Sequence, residues 1–316
     1  MKKAFLLLVS MMSAMSMLAK DEQTVPTVTV VYSGTTAAIT ITDDIADCIE
    51  VNSGTSSHVV ITSNTNSKEI FYNLSGLSDD GEFCLTGSYK CEIDLTGLTL
   101  TNPAGPALNI QNGKRTTISA KKGSVNTLAD GKNKDYDGCI HCTGHLEFQG
   151  KGELNIVGNS KHAINSEEYT SVKNLTLNIT GAKKDGIHCQ EYFLMESGTV
   201  TISNTGDDGI QCKLAGDTTG ETIDHEDEDT GNVYQLDGTL TIKDYDGKAI
   251  KADGTIYYRG GTQNFNTADT DYTTGIAAVQ SSNPMGDVTV YDLCGRKVFN
   301  PSRGIYLLNG KKVVMK

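Results

Sequence analysis

LNITGAKKDGIHC (residues 177–189) and VTISNTGDDGIQC (residues 200–212) are two copies of one pattern. Each is a short β-branched strand, a polar turn holding Asp-Gly, and a second short strand centred on Ile. LNIVGNSKHAINS (154–166) and LTIKDYDGKAIKA (240–252) carry the same pattern in looser form. Ile187 follows Ile164 by 23 residues and Ile210 follows Ile187 by 23. Ile250 follows Ile210 by 40, one repeat plus an insertion of 17, and Ile140 precedes Ile164 by 24. A repeat of this length, rich in alternating strands and poor in helix formers, is one coil of a parallel β-helix. One coil cannot bury its own apolar face, so stability comes from stacking neighbours about 4.8 Å apart.

The strand period of two then assigns directions. Ile140, Ile164, Ile187, Ile210 and Ile250 point inward as an aliphatic ladder. Two residues on, Cys142, Ser166, Cys189, Cys212 and Ala252 form an inward column of small residues. Between them His141, Asn165, His188, Gln211 and Lys251 point outward, and His141 and His188 read as exposed residues rather than ligands. Cys139, two residues before His141, is sent to the outer face. The inward thiols are buried small hydrophobes or, for Cys189 and Cys212, a disulfide between adjacent coils, which the geometry permits.

Working outward, the segments VPTVTVVYSGTTAAITIT (25–42), HVVITSN, EIFYNLSG, GEFCLTGSY and CEIDLTGLTLTN continue the strand style up to Asn102. Lys2, Lys3, the apolar run Ala4–Val9 and the Met- and Ser-rich stretch ending at Ala19 read as a signal peptide over residues 1–19. The expected organisation is a signal peptide (1–19), N-terminal strands and early coils (20–75), the β-helix (76–267), a linker (268–284) and a small C-terminal β tail (285–316). No segment of the mature chain reaches the roughly 18 apolar residues a spanning helix needs. The formal net charge of −12 argues against nucleic acid or anionic membrane as a direct partner. An acidic polysaccharide would be repelled too unless a cation bridged it.

The segments GSYKCEIDLTGLTLTNPAGPALNIQNGKR, GELNIVGNSKHAINS, GDDGIQCK and LDGTLTIKDYDGKAIKADGTIYYRGGTQNF resemble the β-helical carbohydrate-binding domain family of bacteria over residues 70–266. The resemblance implies a right-handed parallel β-helix similar to family 9 pectate lyases. It also implies calcium held by stacked Asp residues and binding of plant polysaccharides such as pectin and cellulose, without lyase activity. GDVTVYDLCGRKVFNPSRGIYLLNGKKVVMK (286–316) resembles the sorting tail read by the type IX secretion system. That implies export and a secreted or cell-surface location; an ordinary small β-domain is the other reading.

Chemistry is expected in the acidic turns before the Ile ladder. Asp185-Gly186 is followed 23 residues later by Asp208-Gly209, with Asp207 beside it. Stacked about 4.8 Å apart, two bare carboxylates would repel by about 3–4 kcal/mol at an effective dielectric near 20. A calcium ion offsets such repulsion with several oxygen ligands. The alternative is that Lys184 pairs with Asp207 on the surface while Asp185 and Asp208 are only turn residues. The acidic insertion after Cys212 is a solvated loop or a source of further ligands, with Asp224 and Asp227 the candidates. Tyr136, Asp244 and Asp246 mark similar turns in other coils. Tyr257, Tyr258 and Arg259 are candidates for a sugar-binding platform, although the absence of Trp weakens a stacking site. Three functions compete: a non-catalytic carbohydrate-binding protein using a calcium bridge, a calcium-dependent pectate lyase, and a surface adhesin or structural solenoid. A lyase needs a base near the cation, for which Lys248 and Lys251 are placed, but an acidic neighbourhood favours the charged form of lysine.

Overall fold

A computed structural model describes residues 25–131, 136–216 and 229–266, together with four short strands between 290 and 315. Residues 1–19, Asp224, Asp227 and the linker 268–284 lie outside the described residues. The chain forms an all-β parallel solenoid of about eight turns, with coils of about 24 residues. The coil has three faces. One face runs from Ile49–Val51 to Ile250–Ala252, with Gly138–Cys142, His162–Ser166, Ile187–Gln190 and Ile210–Lys213 stacked in parallel between them. We call it the ladder face. A second carries Leu146–Gly150, Thr170–Lys173, Tyr192–Met195, Asn232–Gln235 and Ile256–Tyr258. The third carries Val125–Asp130, Glu153–Gly158, Leu175–Ala182, Gly198–Thr205, Thr239–Tyr245 and Thr262–Phe265. In the early coil, Cys91–Asn102 runs along both the second and third faces, and it turns at Gly97, where φ is +83°.

The expected register holds. Ile140 pairs with Ile164, Ile164 with Ile187, Ile187 with Ile210 and Ile210 with Ile250. The first four are fully buried and Ile250 is 9% exposed at the last coil. Each fully buried Ile contributes about 1.5–3 kcal/mol of apolar burial, and none of it is available to a coil without its neighbours. Cys189 sits opposite Cys212 in register, and both are free thiols. At its near end the solenoid is met by the hairpin Thr27–Ser33 and Thr36–Ile41, whose first strand also pairs in parallel with Ile70–Ser78. The corner entering the third face needs left-handed backbone: Gly198 has φ of +102°, and a Cβ there would lie 2.5 Å from the Leu175 carbonyl oxygen. Strands Val290–Tyr291, Lys297–Val298, Gly304–Leu308 and Lys311–Met315 form a separate antiparallel sheet.

Two directional expectations are corrected. Much of the outward column is closed to solvent: His141 is 7%, Asn165 5% and Gln211 7% exposed, while His188 is half-buried and the Lys251 side chain keeps 43% of its exposure. In-register stacking lets each side chain cover the next, so an outward direction does not mean exposure. Cys139, expected on the outer surface, is completely buried. Every residue of Gly138–Cys142 is covered on both sides, and alternation assigns a face without saying what lies against it. Among the described residues, no helix is long and apolar enough to cross a membrane.

Candidate functional site

The site is built where the third face turns into the ladder face. Asp185 and Asp208 each stand two residues before a ladder Ile, so both enter the same column at successive coils. Both carboxylates are almost fully buried, at 1% and 2% exposure. Neither stands bare. The amide of Asp208 donates to Asp185 Oδ1 at 3.0 Å, and the amide of Lys248, one coil on, donates to Asp208 Oδ1 at 2.8 Å. The other oxygens meet an imidazole and an ammonium. Asp185 Oδ2 lies 3.2 Å from His162 Nδ1, and Asp208 Oδ2 lies 3.2 Å from Lys251 Nζ. With its amide nitrogen turned toward Asp185, Gln211 donates to Asp185 Oδ2 at 3.0 Å and accepts from Lys251 Nζ at 2.7 Å. These groups therefore link adjacent coils through their side chains.

The polar ladder extends beyond these groups. Asn109, His141, Asn165, His188, Gln211 and Lys251 occupy one register column. His188 Nδ1 bonds Asn165 Oδ1 at 2.9 Å, Asn165 Nδ2 contacts His141 Nδ1 at 3.2 Å, and the His162 and His188 rings stack at 4.6 Å. His141 and His188 are thus structural members of a ladder, not incidental surface residues. The electrostatics follow from burial and neighbours. Burial pulls His188 down to about 4, helped by the nearby His162 and Lys213. Burial alone would raise Asp185, but the His162 hydrogen bond and charge outweigh it and hold the carboxyl below its usual range. For Asp208, burial exceeds the help from the Lys248 amide and Lys251, so its carboxyl is raised. Burial would lower Lys251, yet the bond and charge of Asp208, together with the charges of Asp207 and Asp185, outweigh it and raise it. Lys251 is therefore protonated at neutral pH and poorly suited to abstract a proton.

Asp207 is the half-exposed member of the turn. Carboxylate oxygens of Asp185, Asp207 and Asp208 lie within 4.8 Å of one another. An all-oxygen donor set suits a hard divalent cation, which takes 6–8 oxygens. The competitor is Lys251, whose ammonium already sits against Asp208 and must swing away for a cation to use that oxygen. Lys251, 43 residues downstream of Asp208 and expected beside the acids as a candidate base, stands there as the counter-charge of Asp208.

On the second face the aromatic residues form pairs. Tyr169 stacks on Tyr192 at 4.7 Å and Tyr234 on Tyr257 at 5.1 Å, while His145 stacks on Tyr169 at 4.4 Å. Arg259 lies over the Tyr257 ring at 5.1 Å. Tyr258 alternates to the other side of the strand and is partly buried against the core. The three residues expected to form one platform are divided between two sides of their strand. Tyr136 stands beside His141, with ring centroids 5.5 Å apart.

The described residues thus form a long parallel solenoid with a polar ladder along one face and an acidic turn beside it. The chain belongs to the carbohydrate-binding domain-containing protein family, whose model matches residues 55–290. Among solved structures it is similar to the polysaccharide lyase-like protein from C. thermocellum, studied as a gadolinium derivative. The TM-score is 0.55 at 19% identity, over 77% of this chain and 98% of that one. At that identity the likeness bears on the fold. No curated protein matches the chain in sequence.

Proposed function

We propose that this protein is a non-catalytic binder of polysaccharide, and that uronate-bearing chains such as pectin are held through a calcium ion at the Asp185–Asp207–Asp208 turn. The observation that carries the reading is the convergence of the three carboxylates, with Asp207 half-exposed. Calcium bound there would supply a Lewis-acidic bridge between protein carboxylates and sugar carboxylates of like charge. Asp207 would present the accessible oxygen, Asp185 and Asp208 would anchor the ion from the buried side, and Lys251 would leave Asp208. The insertion holding Asp224 and Asp227, which follows this turn in the sequence, is a candidate source of further oxygens.

The non-catalytic part rests on the carbohydrate-binding family to which the chain belongs. In the metal-free protein the ion pair with Asp208 keeps Lys251 charged; the alternative, a calcium-dependent pectate lyase, would need Lys251 to lose that proton once calcium displaces it. A purely structural solenoid or adhesin would bind no glycan. The signal-peptide and sorting-tail motifs support export through the type IX secretion machinery to a secreted or cell-surface position.

The test is retention of the full chain on immobilised polygalacturonate with and without a calcium chelator. Loss of retention in chelator, and its return on adding calcium, is the expected result. Equal retention in both conditions removes the cation bridge. Accumulation of ultraviolet-absorbing unsaturated product would establish the lyase instead.

A further inference from the structure

The entry to the ladder face carries nitrogen ligands that the calcium reading does not use. His162, Asp185 and Asp208 stand two residues before Ile164, Ile187 and Ile210, so they share one column. The chemistry along that column changes at Asp185. On one side it meets the carboxylates of Asp207 and Asp208, and on the other the imidazole of His162. His188, the residue after Ile187, brings a second imidazole, which stacks on His162 at 4.6 Å. One nitrogen of each ring and one oxygen of Asp185 lie within 4.8 Å of one another. His162 and Asp185 are almost fully buried, at 4% and 1% exposure, while His188 is half-buried and gives the group its approach from solvent.

Two details of where the protons sit point to a cation as the ligand. The first is at His188. Its Nδ1 lies 2.9 Å from Asn165 Oδ1, and Asn165 is oriented in turn by its amide nitrogen, 3.2 Å from His141 Nδ1. An amide oxygen only accepts, so His188 Nδ1 carries the ring proton and Nε2 carries the lone pair. Metal-binding imidazoles are held in this manner, with the other ring N–H donated to a carbonyl or carboxylate. The second is at His162. Its Nδ1 accepts from the Asp185 amide at 3.3 Å and also lies 3.2 Å from Asp185 Oδ2. A lone pair on Nδ1 serves the amide but faces the oxygen; a proton serves the oxygen but leaves the amide without its acceptor. A proton can bridge Nδ1 and Oδ2, but only a metal ion also uses the lone pair of His188. Asp185 is already braced for this role by the Asp208 amide on Oδ1 and by Gln211 on Oδ2, each at 3.0 Å.

Two imidazole nitrogens and one carboxylate oxygen suit zinc and its transition-metal neighbours, whereas calcium takes oxygens. Three protein ligands leave a coordination position for water or an outside ligand. We infer that His162, Asp185 and His188 form a second cation site, which takes a zinc-type divalent transition ion in preference to calcium. It shares only Asp185 with the proposed calcium turn and takes nothing from the reading of the chain as a glycan binder.

The experiment is calorimetric titration of the full chain with zinc, together with nitrogen NMR of the histidine rings. The variants are His162→Gln, His188→Gln and Asp207→Asn, with thermal unfolding of each. The expected result is a zinc affinity that falls at least about tenfold in either glutamine variant and is kept by Asp207→Asn. In the parent, the ring nitrogens of His162 and His188 should shift on adding zinc and stay in place on adding calcium. If both folded glutamine variants bind zinc like the parent, the site is wrong. Should those variants fail to fold, the parent spectra decide: zinc binding that leaves the two rings unmoved overturns the inference, as does a parent that binds no zinc. Calcium-dependent retention on polygalacturonate is a separate readout. Asp207→Asn should lose it while keeping zinc, and its failure in the parent leaves the zinc site standing.

Discussion

Asp208 donates its backbone amide to the Asp185 carboxylate at 3.0 Å, so the two stacked acids are donor and acceptor rather than bare like charges. The relation repeats one coil on, where Lys248 donates to Asp208 at 2.8 Å. Repulsion between stacked carboxylates is offset by amides placed one coil away, by His162 and by Lys251, which defines what each substitution here should do.

Asp185→Ala removes an acceptor that serves the Asp208 amide, Gln211 and His162 at once. Leaving buried donors unpaired costs about 3 kcal/mol. The melting temperature should fall by roughly 6–10 °C for a domain of this size. A change under about 1 °C in calorimetry would show that the ladder contributes little.

Acid should destabilise the fold through His188. Its folded pKa is lowered to about 4, against about 6.5 in an unfolded chain. Between these values the unfolded chain takes a proton that the folded chain refuses, so stability is lost as pH falls from about 6.5 to about 4, by up to about 3 kcal/mol. Asp185, also held low, adds a further loss as pH falls below about 4. His188→Gln should flatten the upper window in urea unfolding followed against pH; an unchanged profile would assign the acid sensitivity elsewhere.

Lys251→Met frees Asp208 Oδ2 for a metal. In chelator this variant should melt lower than the parent, because a buried carboxylate has lost its counter-charge. Calcium should restore it and bind at least tenfold more tightly by calorimetry. Weaker calcium binding than in the parent would mean that Lys251 helps to build the site rather than competing for it.

The inward thiols should be inert. Cys142, Cys189 and Cys212 are fully buried and free. Burial raises Cys142 to about 12, and Cys212 is raised by its neighbour Cys189 and by burial. Since the thiolate is the reactive form, an alkylating reagent should leave all three unmodified in native protein and label them in denaturant, read by peptide mass spectrometry. Rapid native labelling of Cys212 would mean that the last coils open.

Much of the core was legible. Ile164, Ile187 and Ile210 stand at equal spacing, and the strand period of two sends them to one side, so the column and its small neighbours follow from counting. A column of Thr and Asn on the third face was hidden from the same count. Thr127 to Asn155 spans 28 residues, Asn155 to Asn178 spans 23 and Thr201 to Thr241 spans 40. Loops of different length absorb the difference, and only strand register lines the residues up. Of the platform expected of Tyr257, Tyr258 and Arg259, Tyr257 and Arg259 share a face while Tyr258 turns the other way, for the same reason that the Ile ladder lines up: adjacent residues on a strand face opposite ways.

By itself, the order of residues determined the stacked architecture, the inward aliphatic and small columns, and the meeting of acids at one turn, because these depend on period alone. Only tertiary structure decided which charges neutralise those acids, how deeply the outward ladder is covered and which rings remain in reach. Those outcomes depend on side chains from different coils arriving within about 3 Å of each other, a distance that loop length and rotamer set and that a repeat count does not contain.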